Sequence, residues 1–437
     1  MSGKVVMNRV SGTGRGGTKK VIMIALALLV LFISPALSSQ GGLWQPLRTS
    51  LKVTAKRPVV AFSPGYNASV GINDNGSALY SGNVVNYVYG TQALLGYFAF
   101  YGGSFYSGSP INASAFSVQL NSNFNVTDNM TLWAQDVFEV TYNGSIYNVT
   151  IIDNLWNSTT SGASINPYLI SGWGTTTTYN GITFYYDVAF NNTNTVWYLT
   201  QPPFYLYAMM NLTVNPSTGY PELLMYYRFR NSTYDSGWVL YDNITIYVPT
   251  NSSEFLVGVQ PWISTQYPNY PFVTQWVVCG DGGGSQLYVY SWNATMALYY
   301  WYDGNWYSVP DAVSLQPLVF TAGVTGESVN QYNGIVESYN ARAGLVYQSQ
   351  GQNAQEFLWQ PSVSYSVNGN VLTVYLTPPN GLWQVVISGS NGYHNQTFGD
   401  YSPISFTLQP GQYELEATLY AGPNQVVTIN ETVNVPG

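Results

Sequence analysis

Apolar residues in this chain recur at every second position rather than every third or fourth, and that spacing decides what the chain can become. It is clearest over residues 117–140, SVQLNSNFNVTDNMTLWAQDVFEV. Val118, Leu120, Phe124 and Val126 alternate with polar residues, Thr127, Asp128 and Asn129 form a polar turn, and LWAQDVFEV resumes the same period. Such alternation predicts a β-hairpin. Successive side chains of a strand leave opposite faces, so Leu132, Ala134, Asp136, Phe138 and Val140 share one face and Trp133, Gln135, Val137 and Glu139 share the other. The first face is apolar but carries a carboxyl group. The second carries an aromatic ring and two polar groups.

The same period persists from Val59 onward in ITFYYDVAF, ELLMYYRF, WVLYDNITIYV, QLYVYSW and MALYYWY, separated by turns such as Asn75-Gly76, Asn143-Gly144 and Gly282-Gly283-Gly284. This predicts an all-β protein: a large two-sheet, lectin-like β-sandwich over residues 58–358. After the polar linker YQSQGQNAQEF the style changes at Pro361, and residues 359–437 read as a small immunoglobulin-like β-sandwich of six or seven strands. Such modules commonly serve as spacers or stabilising appendages. Only 7% of the 437 residues are charged, against about 25% in an ordinary soluble domain. Abundant Tyr, Trp, Val, Ile and Thr nevertheless mark a folded β protein, not a disordered one.

The charges are segregated. Nine of the twelve Lys and Arg precede Val59, where no Asp or Glu occurs, so the remainder sets Arg228, Arg230 and Arg342 against all twenty carboxyl groups. Clustered cations, which nucleic-acid binding requires, are missing from it. The balance suits acid instead. Below about pH 3 most carboxyls are neutral, and a chain rich in Lys and Arg would carry unbalanced positive charge that drives the fold apart.

Lys19-Lys20, the apolar run VIMIALALLVLFI and the small residues after Pro35 read as a secretory signal over residues 1–39. The alternative, a membrane tether through the same segment, is disfavoured by its length, since a span needs about 20 apolar residues. Residues 40–57 are basic and form either a pro-segment or a linker. About sixteen Asn-X-Ser/Thr acceptors, Asn67, Asn112, Asn143, Asn211, Asn243, Asn293 and Asn430 among them, fit a glycosylated protein outside the cell or on its surface.

Elimination narrows the chemistry. The one histidine, His394, falls in the C-terminal module, so Ser-His-Asp and Cys-His arrangements have no base in the main body. A zinc site of His and Cys lacks ligands, and no metal or cofactor is expected. Cys279 has no basic neighbour to activate it and reads as a small buried residue. Carboxyl groups remain, and a pair sharing one proton suits acid hydrolysis. In WVLYDNITIYV, Asn243 and Thr245 point outward, so Asp242 points inward with Trp238, Leu240 and Ile244. Asp187 shares a face with Tyr185 and fits the floor of an open cleft. Asp74 lies in an Asn/Gly turn, where Asp is common for conformational reasons alone, and Asp153 could cap the turn before Trp156.

The hairpin pair SVQLN and WAQDV resembles that of the thermopsin family, acid proteases secreted by heat- and acid-loving archaea. VGINDNG, NYVYGTQALLG, IIDNLWNST, VVCGDGGGS and VTGES follow in the family's order, over about residues 63–339. The resemblance implies a pro-segment at residues 40–57. It also places Glu327 in a Thr-x-Glu element and Gln135 in the WxQ motif, with Asp136 where the family usually has Asn. A Gln–Glu pair on a sheet face is how the unrelated glutamic proteases work, with Glu as general base and the Gln amide steadying the oxyanion. The candidate catalytic residues are therefore Glu327, Gln135, Asp187, Asp74 and Asp242. The expected function is a secreted acid endopeptidase acting on unfolded polypeptides. The alternative is a non-catalytic cell-surface protein whose Tyr and Trp stack on glycans.

Overall fold

The computed structural model describes residues 56–58 and 69–437 apart from positions 75, 82, 87, 128–129, 160–162, 180, 192–193, 196, 260–270, 273, 303, 310–311, 316–326, 333–334, 341–343, 349–354, 358–360, 378–381, 400–401 and 422–423. The expected signal segment at residues 1–39, nearly all of the basic stretch, Asn67 and Arg342 lie outside the described residues. Among those described there is no α-helix, and strands carry the fold.

Twelve strands position the site: β1 (Val70–Asp74), β2 (Ala93–Ser107), β3 (Ala115–Thr127), β4 (Met130–Tyr142), β5 (Tyr147–Asn157), β6 (Ile182–Val188), β7 (Phe204–Val214), β8 (Pro221–Asn231), β9 (Val239–Ile246), β10 (Thr274–Cys279), β11 (Gln286–Tyr302) and β12 (Ser328–Tyr332). One sheet, of 14 strands, runs β1-β10-β3-β4-β5-β6 through its centre. The other, of 10 strands, runs β9-β8-β7-β2-β11, with β12 added parallel to β11. The expected hairpin is β3–β4, in a register that sets Leu120 opposite Asp136 and Asn121 opposite Gln135.

The alternating pattern explains the layering. Phe116, Val118, Leu120 and Phe124 of β3, with Leu132, Ala134, Phe138 and Val140 of β4, join one core with Leu94, Phe98 and Phe100 of β2 and Leu206, Ala208 and Met210 of β7. Phe98, Phe100, Phe105, Phe116 and Trp292 meet there with centroids 4.8 to 6.4 Å apart, Phe98 and Phe100 stacked and the other pairs tilted or edge to face. Each fully buried large side chain contributes about 1.5–3 kcal/mol from its area alone, and edge-on ring pairs add to that. Trp276 of β10 lies flat where Gly96 of β2 leaves room, and its Nε1–H donates to the Tyr97 carbonyl at 2.8 Å.

Residues 362–435 form a three-stranded sheet (Ser362–Asn368, Val371–Thr377, Ile404–Thr407) and a four-stranded sheet (Leu382–Gly389, His394–Gly399, Gly411–Ala421, Asn424–Val435). Trp383, Leu415 and Val433 are buried within this small sandwich, and His394 is exposed.

Candidate active site

The face of the 14-stranded sheet that turns away from the core is polar. Gln275 of β10, Asn121 of β3, Gln135 of β4 and Asn154 of β5 fall opposite one another, giving four carboxamides in one cross-strand row. Gln135 Nε2 donates to Gln119 Oε1 at 3.2 Å, and Asn121 Nδ2 donates to the same oxygen at 3.3 Å. Gln119 Nε2 donates in turn to Ser117 Oγ at 3.0 Å. Yet Asn121 Oδ1 and Gln275 Nε2 are buried without a partner, as are the indole nitrogens of Trp133 and Trp156 in the next row. A buried polar group left unpaired costs about 1–3 kcal/mol, so this face carries an unmet demand for donors and acceptors.

Three carboxyl groups gather at the end of this face. Glu139 stands opposite Ser117, which in turn stands opposite Cys279. Beyond Cys279 the chain leaves one sheet for the other through Gly280–Ser285, a turn in which Gly282, Gly283 and Gly284 all take left-handed φ values of 87°, 61° and 77°. Such φ values exclude most side chains, and a Cβ at Gly283 would also press on Pro110. The turn carries Asp281, and its Gly284 N–H donates to Glu327 Oε1 at 2.9 Å. Glu327 is held from the other side because Ser328 opens β12, with its N–H on the Ser285 carbonyl and its carbonyl on the Gly280 N–H, both at 3.2 Å.

These carboxyls perturb one another. Burial and then the Glu327 charge raise Glu139 above the ordinary carboxyl range. Burial, with Glu139 and Glu327 nearby, pushes Asp281 up to about 8. Glu139 and Asp281 therefore retain protons that ordinary carboxyls release near pH 4. Glu327 is buried, whereas Glu139 and Asp281 are half-buried and the neighbouring Gly283 is exposed.

A second set of carboxyls lies between the sheets. Asp136, Asp153 and Asp187 follow one another across β4, β5 and β6 on the core-facing side. Asp242 joins them from β9, where a register shift sets Met225 opposite Asp242 and Tyr226 opposite Leu240. The extra residue, Tyr241, makes a bulge, and a bulge turns two consecutive side chains to one face. Tyr241 thus donates to Asp136 Oδ1 at 3.0 Å. Asp242 accepts from Tyr185 Oη at 2.5 Å and from the Trp173 and Asn243 N–H groups at 2.8 and 2.7 Å. Burial raises all four: Asp136 and Asp153 well above the ordinary range, Asp242 above it, and Asp187, with Asp242 adding to the effect, to about 6.

The sequence candidates thus fall in different places. Asp242 points inward with Ile244 as expected, but the bulge breaks the alternation, so Val239 and Tyr241 rather than Trp238 and Leu240 pack on the core beside it. Asp187 does share its face with Tyr185, but that face is the buried inter-sheet one; the opposite face takes Phe184 against Trp156, with centroids 5.2 Å apart. Asp74 is buried, accepts from the Tyr89 hydroxyl and from Gly76 N–H, and shapes its turn. Gln135 and Glu327 are both near the polar track, but the hydrogen bonds of Gln135 run to Gln119 and the carboxyls acting on Glu327 are Glu139 and Asp281. Alternation puts Glu139 on one face with Gln135 without singling it out, and Asp281 has no signal beyond the glycine run that follows it. Cys279 is fully buried, and burial followed by Glu327 raises its thiol, as suits an inert residue.

No curated protein matches the chain. The Thermopsin family model matches residues 56–332, more than half of the sequence. An all-β sandwich whose polar face ends in a group of carboxyls is in keeping with that match, and the chain belongs to the thermopsin family of acid proteases.

Proposed function

We propose that the protein is a secreted or cell-surface acid endopeptidase that cleaves unfolded polypeptides through Glu327 and Glu139, with Asp281 as their electrostatic partner. The observation that carries this reading is the gathering of Glu139, Asp281 and Glu327 at the end of a carboxamide row in which Asn121 Oδ1 and Gln275 Nε2 lack partners. An extended peptide supplies alternating N–H and C=O groups, the partners that Asn121 Oδ1 and Gln275 Nε2 lack. Trp133, Trp156 and Phe184 flank that row and offer apolar contact to substrate side chains.

In the cycle we envisage, Glu327 in its ionised form takes a proton from water as the water oxygen attacks the scissile carbonyl carbon. Glu139, still protonated in acid, gives its proton to the carbonyl oxygen and so neutralises the charge developing there. Collapse of the tetrahedral species expels the amine, which takes the proton held by Glu327, and Glu139 recovers its own from the hydroxyl. Gln135 and Gln119 hold the backbone of the substrate in register. Residues 58–358 are the unit that performs this, with residues 359–437 as an appended sandwich.

The test is cleavage of a denatured protein by the purified mature chain from pH 1 to 7. Fragments appearing only at acid pH support the proposal, and a folded protein that cuts nothing at any pH ends it. The glycan-binding reading has one observation behind it, the exposed rings of Tyr168 and Trp173. A glycan array run beside the protease assay separates the two.

A further inference from the structure

The inter-sheet aspartates take no part in the chemistry above, and their geometry asks for an occupant. One carboxyl oxygen each from Asp153, Asp187 and Asp242 lies within 4.8 Å of the others. Asp153 is fully buried and neither of its oxygens meets a donor from the protein, its hydrogen-bonding neighbour being another carboxyl, that of Asp242. Beside it, Asp136 is equally buried and has Oδ1 on Tyr241 but Oδ2 unpaired. Arg228 is bound to Asp235 and Arg230 lies over the Tyr205 ring, so neither supplies the missing positive charge.

A buried carboxylate without a donor or cation is among the costliest arrangements in a protein. The surroundings are built to fix these groups in place. Asp242 Oδ1 takes two backbone N–H bonds while Oδ2 takes the Tyr185 hydroxyl. The Tyr185 oxygen in turn accepts from Gly174 N–H at 2.7 Å. Gly172 and Gly174 let the strap carrying Trp173 close on this corner, since a Cβ at Gly172 would collide with the Tyr185 hydroxyl and one at Gly174 with Asp187 Cβ at 2.6 Å. Outer contacts of this kind are what orient carboxylates around a metal.

We propose that Asp153, Asp187 and Asp242 form a binding site for a hard divalent cation, with Ca²⁺ as the best-fitting case. Calcium takes oxygen ligands at about 2.4 Å, so ligands on opposite sides of the ion stand about 4.8 Å apart. All three carboxyl oxygens fall within that limit, with Asp136 opposite Asp153 on the next strand and the Tyr185 hydroxyl on Asp242 Oδ2. The ion would join β5 and β6 of one sheet to β9 of the other. Elimination of zinc from the shortage of His and Cys does not bear on a site made only of oxygen.

The test uses the purified mature chain at pH 7 and Tb³⁺, a Ca²⁺ analogue whose emission neighbouring tyrosines such as Tyr185 sensitise. We expect saturable tyrosine-excited emission displaced by Ca²⁺, and a Tm raised by about 3 °C or more in excess Ca²⁺. Asp153→Asn should weaken Tb³⁺ binding at least about tenfold and remove the Ca²⁺ effect on Tm. Asp187→Asn, at the least buried member, does the same and serves should the first variant fail to fold. No saturable emission and no Tm shift in the wild-type chain would overturn the proposal and leave shared protons as the only occupants. So would emission unchanged in a folded variant, which would assign the ion to surface carboxyls.

Discussion

The backbone N–H of Gly284 donates to Oε1 of Glu327 at 2.9 Å, joining a turn of left-handed glycines to a carboxyl that lies far along the chain. The bond fixes Oε1 of Glu327, the carboxyl that also perturbs Glu139 and Asp281. A Cβ at residue 284 is disfavoured by its φ of 77°. Gly284→Ala should therefore re-aim this donor and lower kcat about tenfold or more, equivalent to about 1.4 kcal/mol of barrier, with KM little changed. Steady-state kinetics on a peptide substrate at pH 3 read this directly.

Gln135 and Gln119 share a 3.2 Å hydrogen bond on the polar face and are assigned to holding substrate. Gln135→Ala and Gln119→Ala should each raise KM, with a loss in kcat/KM of about tenfold, while kcat holds. Because the two act through one contact, the double variant should lose less than the product of the single effects, a coupling of about 0.5–3 kcal/mol.

Stability should fall as pH rises. Asp281 has a folded pKa of about 8, above the value of about 4 of an unfolded Asp. A group raised in this way binds more protons folded than unfolded between those limits, so its contribution is complete below about pH 4 and is lost as pH climbs through about 8. Glu139 shifts in the same direction, from burial and Glu327. Thermal melts of Asp281→Asn across pH 3 to 8 should show a flatter decline than wild type.

The inter-sheet contact at Trp276 leaves no slack. A Cβ on Gly96 would lie about 2.5 Å from the indole ring, whose Nε1–H is tied to the Tyr97 carbonyl. Gly96→Ala should destabilise the fold by about 1–3 kcal/mol through overpacking, seen as a lower denaturation midpoint with an unchanged slope.

Local pattern made much of this fold legible. Alternation in residues 117–140 assigned Trp133, Gln135 and Glu139 to one face and Asp136 to the core side, as observed. It could not show that Asp136, Asp153 and Asp187 line up, because cross-strand register between β4, β5 and β6 depends on loops whose sequence does not encode it. The inward turn of Tyr241 depends on a bulge, which breaks the very period used to read a strand. The meeting of Glu139 with Glu327 and Asp281 arises where the chain passes between sheets and β12 joins β11 in parallel, a long-range event with no local signature. The family motif did single out Glu327, and alternation supplied the face of Glu139, but only the tertiary structure pairs them.

The most direct test is the turnover number of Glu327→Gln and Glu139→Gln at pH 3 on a denatured protein substrate, with circular dichroism confirming that each is folded. Loss of a general acid or base removes about 10²–10⁴-fold in rate, and both variants should fall by at least about a hundredfold while still binding substrate. Wild-type turnover in either folded variant would contradict the assignment of peptide hydrolysis to this carboxyl pair.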